Sequence, residues 1–414
     1  MATRVAVVGG GYAGMAAAMH LAESGVPVTV FESSKTLGGR ARGIKYKGAT
    51  LDNGQHILLG CYTETLSLIE KTCDVEKPYI RTPLALDIDS FSLRSLPFPP
   101  PFDLLFGLLF SKGLALSAKL IAIRFLVATK SLELEKDMSV AALLERYGQK
   151  KQSVDLLWAP LCVSALNTPI NRASAKVFLA VLKDGLRGRG SDIVLPNVDL
   201  SSLFPNGAAR IIMKNGGNIL TSAAVIAAGK TDEEFELVTE NERHFFSHLV
   251  LATAPQHARK LAVNFPEVDI PDFSYQPIVT VYSQYPEQVR LPKKMIGTSK
   301  GLAHWFFDRG GGLIAAVISA EGEHVGLSQT ELVLRIHQET KKILPDLPPS
   351  LWQKAIHEKR ATFSCDVDVG RPEQMTPVPN LYLAGDYTAG RYPATLEGAV
   401  ESGLACARMI IKTI

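Results

Sequence analysis

Three glycines, Gly9, Gly11 and Gly14, stand in the spacing G-x-G-x-x-G, and a carboxylate, Glu32, follows 18 residues after the last of them. Glycines so spaced can bring a backbone against a pyrophosphate: Gly9 for a tight turn, Gly11 for close approach, Gly14 for packing of the following helix on the strand. The helix N-terminus then offers its free amides and its dipole to the anion, through Tyr12 and Ala13 as well as the glycines. Glu32, with Ser33 beside it, is placed to accept hydrogen bonds from ribose hydroxyls. These residues describe a dinucleotide site and leave open whether the nucleotide carries nicotinamide or flavin.

The elements that must position them are legible around them. Arg4–Val8 is a short β-branched run, Ala13–Glu23 an Ala-rich helix stopped by Gly25, and Val28–Phe31 a second strand: a β–α–β unit. Pro97–Phe102 is stiff and Pro-rich, and it leads into an apolar stretch, 104–128, broken only by Lys112, Lys119 and Arg124. As one helix, that stretch would place Lys112 and Lys119 on nearly one face and suit an interfacial helix; as a helical hairpin it would be buried. Helices follow over 138–190, strands at 217–225, 235–238 and 248–252, and a strand-rich region spans 275–320. Gly310–Gly312 lies between two strands and reads as a hairpin turn; no second phosphate loop accompanies the first.

A length of 414 residues exceeds one ordinary core, so two domains are expected. Their composition, 46% apolar and 21% charged, is that of a globular protein, and a net charge of +3 gives no footprint for a nucleic-acid partner. Five scattered cysteines without a C-x-x-C pair argue against a disulfide framework or zinc site, and they suit a reducing, cytoplasmic compartment. His244 and His248 flank a strand and do not form a metal site.

Further motifs narrow the nucleotide. Leu37-Gly-Gly-Arg-Ala-Arg42, Leu381-Tyr-Leu-Ala-Gly-Asp386 and Thr395-Leu-Glu-Gly398 stand in this order along the chain. With Glu32 they resemble the signature of the amine oxidase and phytoene desaturase flavoprotein superfamily. The resemblance implies FAD, held in an α/β, two-domain Rossmann-like fold of the glutathione-reductase type with an inserted α+β substrate domain. It assigns residues 1–75, 206–256 and 372–414 to the FAD domain, and 76–205 and 257–371 to the substrate domain, with a helical part at 100–190 and an antiparallel sheet at 275–320. It further implies that Gly39 and Arg40 lie along the diphosphate and that Gly385 and Asp386 touch the ribityl and phosphate part. Val225 and Thr253 would fall on the adenine-side strands, and Thr395, Leu396 and Glu397 at a helix N-terminus facing the flavin.

Thr395 replaces the aromatic residue that amine oxidases carry before Met-Glu-Gly. Leu157–Pro169, with Ser191–Pro196 and Asp199–Pro205, resembles instead the squalene-associated FAD-dependent proteins, hydroxysqualene dehydroxylases of hopanoid pathways. That resemblance implies a long isoprenoid substrate, hydroxysqualene, and an external electron donor that the sequence does not identify. The apolar stretch with its basic residues suggests peripheral contact of 97–130 with the inner face of the cytoplasmic membrane. His56 is the candidate proton donor, and Trp158, Trp305 and Phe306 are candidate cation-stabilising rings. A carotenoid desaturase running hydride the other way, and a non-catalytic isoprenoid escort, are the rival readings.

Overall fold

The strand Val5–Val8 is buried at every residue, and Val28–Phe31 and His248–Leu251 are nearly or wholly so. Continuous apolar runs of this kind belong in a parallel sheet covered on both faces. In the computed structural model, which describes residues 3–231 and 233–414, these three strands are the centre of a five-stranded sheet. Its order is Asn218–Leu220, Val28–Phe31, Val5–Val8, His248–Leu251, Leu381–Leu383, and every pairing is parallel. The expected strand over 217–225 is therefore short: pairing stops at Leu220, and residues 223–226 run on as irregular chain past the end of Val28–Phe31.

Two helices cover one face of the sheet at close range. Tyr12–Glu23 carries a run of alanines, and Leu396–Ile411 lies on it with Gly403 so near that a Cβ there would sit 2.1 Å from Ala13 O. Small residues on both helices permit this approach, which brings the N-terminus of each to the same end of the sheet.

A second sheet has seven strands in the order Trp352–Phe363, Tyr275–Gln284, Leu313–Ser319, Trp305–Asp308, Met295–Gly297, Ala85–Ile88, Phe91–Arg94. It is larger than the 275–320 expectation. The long Trp352–Phe363 strand pairs with Tyr275–Gln284, and the hairpin 85–94 joins the far edge through Gly297 opposite Ile88. Trp305–Asp308 and Leu313–Ser319 form the expected hairpin, and Gly310, Gly311 and Gly312 take φ of +82°, +56° and +77° in its turn.

The apolar stretch 104–128 is two helices, Phe102–Leu109 and Leu116–Ala128, not one. Lys112 falls in the connection and Lys119 in the second helix, where its ammonium binds the carbonyls of Leu109 and Ser111. The single face that would have joined the two lysines does not exist. No helix among the described residues is long and apolar enough to cross a membrane.

Candidate FAD and substrate site

A cavity of about 1100 Å³ runs from the glycine turn to the seven-stranded sheet. At the nucleotide end, Gly9 has φ of +117°, and a Cβ there would meet Ala252 O at 2.6 Å. Gly14 is closed in the same way by Gly9 O at 1.9 Å, so its role is packing, and it does not reach the cavity. Gly11 differs: a Cβ there has no chain atom nearer than Gly39 Cα at 4.0 Å. Gly11 bridges Gly38, so two glycine turns face one another across a cleft that side chains would fill.

Glu32 is buried beside this cleft. Its carboxylate accepts from the amides of Gly10 and Ser34, each at 2.7 Å, and from Ser33 Oγ at 3.3 Å. Arg40 donates to Asp386 at 2.5 Å and to the carbonyl of Ala361 at 2.9 Å. Burial of that guanidinium works against its charge, and the neighbouring Asp386 outweighs it, leaving the pKa of Arg40 raised. The residue expected along the diphosphate and the residue expected at the ribityl and phosphate part thus bind each other in the cavity wall. Val225, Thr253, Gly385, Thr395 and Leu396 also line the cavity, and Thr253 Oγ1 is buried there without a partner. Thr395 caps the last helix by accepting from Gly398 N at 3.0 Å, which fixes the helix N-terminus against the cavity.

Two expected contacts are otherwise employed. The Tyr12 hydroxyl donates to Leu200 O at 2.9 Å and its ring packs on Phe204, so its side chain serves the core while the residue borders the cavity. Glu397 lies outside the cavity wall: its carboxylate, fully buried, accepts from the amides of Glu64 and Thr65 at 3.0 and 2.8 Å and caps the helix Thr63–Thr72. It stands two residues after Thr395, a little over half a helical turn, and so points to a different side of the helix.

The other end of the cavity is apolar. Ile57, Val163, Leu166, Ile278, Phe307 and Val317 form its walls together with Trp305. Trp305 and Phe307 share a face of their strand, and Phe306 points to the opposite face, into a separate core with Val279 and Ile336. Trp158 is likewise buried away from the cavity, edge-on to Phe125 at 5.3 Å. Of the three rings singled out from sequence, only Trp305 reaches the site; alternation along the strand replaces Phe306 with Phe307.

Sequence reasoning gave no part to Asn167, which holds this end together. It stops the helix Ala159–Leu166 in the left-handed conformation, φ of +46°. Its amide donates to Thr362 Oγ1 at 3.0 Å and accepts from Ala320 N at 2.7 Å, pinning the helix end to the sheet. The signal was a polar residue between an apolar helix and Thr168-Pro169, a stop read only as part of a motif. Trp305 Nε1 adds a bond to Ser164 Oγ at 2.8 Å from the sheet side.

His56 lines the cavity beside Gln55, whose Oε1 is buried without a partner. Its Nδ1 is 2.8 Å from Gly54 O, a contact that requires the proton on Nδ1. Burial lowers its pKa, the Gly54 carbonyl opposes this, and Arg40 lowers it further. At neutral pH the ring is therefore uncharged, and Nε2 is an acceptor.

A glycine cleft with a buried carboxylate, an arginine beside it and two helix N-termini is the equipment of a flavin-dinucleotide fold. Residues 12–411 match the family described as flavin containing amine oxidoreductase, and the chain belongs to it. It is 25% identical to a hydroxysqualene dehydroxylase from Zymomonas mobilis over 98% of both chains. It is also 24% identical to a 15-cis-phytoene desaturase from Narcissus pseudonarcissus, over 99% of this chain and 79% of that one. The solved structure of cyclohexylamine oxidase from Brevibacterium oxydans superimposes with a TM-score of 0.71 at 15% identity, covering 100% of this chain and 99% of that one. The protein is an FAD-dependent oxidoreductase with a Rossmann-like fold. The open cradle at Gly11 and Gly39 and the unpartnered Thr253 hydroxyl fit that cofactor.

Proposed function

We propose that this enzyme removes the hydroxyl of hydroxysqualene reductively, giving squalene and water. The observation that carries this reading is the apolar end of the cavity, closed by the helix Ala159–Leu166, which belongs to the same 157–205 block that resembles hydroxysqualene dehydroxylases. The likeness to the Zymomonas enzyme over 98% of both chains supports it.

Gly9, Gly11, Gly39 and Arg40 hold the diphosphate, Glu32 the ribose, and Thr253 with Val225 the adenine side. Reduced FAD, when bound, supplies the hydride that takes the place of the departing hydroxyl. The chain's own task is to bind a long apolar substrate, keep water out and deliver one proton to the leaving oxygen. Ile57, Leu166, Phe307 and Val317 exclude water from an allylic cation, and the faces of Trp305 and Phe307 stabilise it. His56 orients the hydroxyl through Nε2, and its protonated form is the acid. A dehydroxylation of this kind consumes one hydride and one proton per substrate, and an external donor must reduce the flavin for each turnover.

The test is anaerobic. Photoreduced enzyme incubated with hydroxysqualene is expected to yield squalene, while oxidised enzyme incubated with phytoene yields no desaturated product. The second reading, a desaturase, has the Narcissus relative in its favour. It wins if reduced enzyme leaves hydroxysqualene untouched and oxidised enzyme desaturates phytoene.

A further inference from the structure

The helical hairpin Phe102–Leu109 and Leu116–Ala128 has two unlike faces. The inner one, with Leu104, Leu108, Leu114, Ala122 and Phe125, is part of the main core. The outer one is apolar and open: Phe110 is 70% exposed, Leu116 63%, Phe102 53% and Leu120 53%. Phe98 and Phe106 extend it, their ring centroids 5.0 Å apart. Along the first helix and its C-cap Phe102, Phe106 and Phe110 follow at intervals of four, and on the second helix Leu116 and Leu120 do the same, so each set shares a face. Large rings gathered on one surface and left in water mark a binding surface, whereas single exposed residues would not.

Charge identifies the occupant. Between Phe98 and Lys130 the chain carries four cations, Lys112, Lys119, Arg124 and Lys130, against one acid, Asp103. The segment thus holds as much net positive charge as the whole chain, whose net charge is +3. Asp103 is buried and bonded to Ser95 Oγ at 2.9 Å, so the outer surface presents cations beside the rings and no carboxylate of its own segment. Two such faces would repel each other; an anionic bilayer would attract one. The inner face also leads inward. Phe125 packs on Trp158, and Trp158 immediately precedes the helix Ala159–Leu166, whose Val163 and Leu166 wall the apolar end of the cavity.

We propose that the outer face of this hairpin docks the protein on an anionic lipid bilayer, one helix layer from the apolar end of its cavity. The proposal is independent of which isoprenoid the enzyme transforms, and its test uses no substrate.

FAD-loaded protein is floated with vesicles of phosphatidylcholine containing phosphatidylglycerol and with vesicles of phosphatidylcholine alone. The wild type should partition to the mixed vesicles, more weakly to the neutral ones, and less as salt is added. The triple variant Phe102→Ser/Phe110→Ser/Leu120→Ser should lose about tenfold or more of that partition while keeping the flavin spectrum. Val263→Ser/Val325→Ser, at side chains 74% and 66% exposed elsewhere, should leave it unchanged. If the triple variant does not fold, Lys112→Glu/Arg124→Glu takes its place, with the same loss expected on mixed vesicles. Failure of the wild type to float overturns the proposal, as does equal flotation of either hairpin variant. A concentration-dependent dimer that the triple variant abolishes, with no vesicle binding, overturns it in favour of a second copy.

Discussion

The two ends of the cavity are built by different means. At the nucleotide end the wall is backbone: glycine turns at Gly9–Gly11 and Gly38–Gly39, helix N-termini, and carboxylate and guanidinium groups whose hydrogen bonds are accounted for. At the apolar end the wall is side chain: Ile57, Leu166, Trp305, Phe307 and Val317, brought together from three stretches of chain more than a hundred residues apart. A backbone-built site tolerates almost no substitution at a few positions. A site built of apolar side chains tolerates many, provided that volume is kept, and this is how one nucleotide end can serve enzymes with unlike substrates.

The largest effect expected from breaking this asymmetry is at the glycines, and it divides them. Gly11→Val places its side chain in the cleft facing Gly39, where the nearest chain atom to a Cβ is 4.0 Å away, in a backbone conformation, φ of −78°, that valine adopts without strain. The protein should fold and be isolated without bound flavin, with thermal unfolding close to that of the wild-type apoprotein. Gly14→Val drives a Cβ to 1.9 Å from Gly9 O, and soluble protein should be lost altogether. Equal outcomes for the two variants would mean that Gly11 is a packing residue like Gly14.

Next in size is the proton. His56→Ala should slow turnover of the reduced enzyme by about a hundredfold, in the range of general acid catalysis, with flavin still bound. The sign of the pH dependence follows from burial: the folded pKa lies below the ordinary 6.5, so the acid form is populated only below that value. Turnover should therefore fall as pH rises through a midpoint under 6.5, and His56→Gln should abolish this limb. A limb that persists in His56→Gln places the acid elsewhere.

Arg40→Ala removes the partner of the buried Asp386 carboxylate and a donor to Ala361 O. FAD affinity should drop by roughly ten- to a hundredfold, read by titration of the visible absorbance. Arg40→Lys keeps the charge and loses the fork, so it should fall between. An Arg40→Ala protein that binds FAD as tightly as the wild type would confine this residue to the wall.

Legibility in the sequence follows the same division. Gly9, Gly11, Gly14 and Glu32 could be read because each is demanded by local geometry, within one β–α–β unit. Trp305 and Phe306 could be named as aromatic candidates, but the exchange of Phe306 for Phe307 depends on which face of the strand meets the cavity. That is set by pairing with Leu313–Ser319, a tertiary fact. Asn167 was hidden for a related reason: its partners, Thr362 and Ala320, lie 195 and 153 residues away. The break in the 104–128 stretch had a local cue in Gly113, whose φ of +85° and close approach to Ser90 O, 2.5 Å from a Cβ, mark the turn. Continuous hydropathy left the hairpin as one of two readings of the stretch.

The smallest expected effect concerns the residue that a motif places on the nucleotide and the structure places on a helix cap. Glu397 sits in Leu396-Glu-Gly398 and borders nothing in the cavity, while both carboxylate oxygens take amides of the Thr63–Thr72 helix. Gln at this position keeps one acceptor and loses the other, so Glu397→Gln should cost about 1 kcal/mol of stability and leave FAD affinity within error of the wild type. Burial raises the pKa of this carboxyl, against the two amide bonds that lower it, so its charge weighs on the fold at neutral pH and is relieved on acidification. The wild type's stability advantage over Glu397→Gln should accordingly be smaller at pH 7 than at a pH near the raised pKa. A flavin affinity that falls with unchanged melting would return Glu397 to the nucleotide end, and the cap would then be incidental.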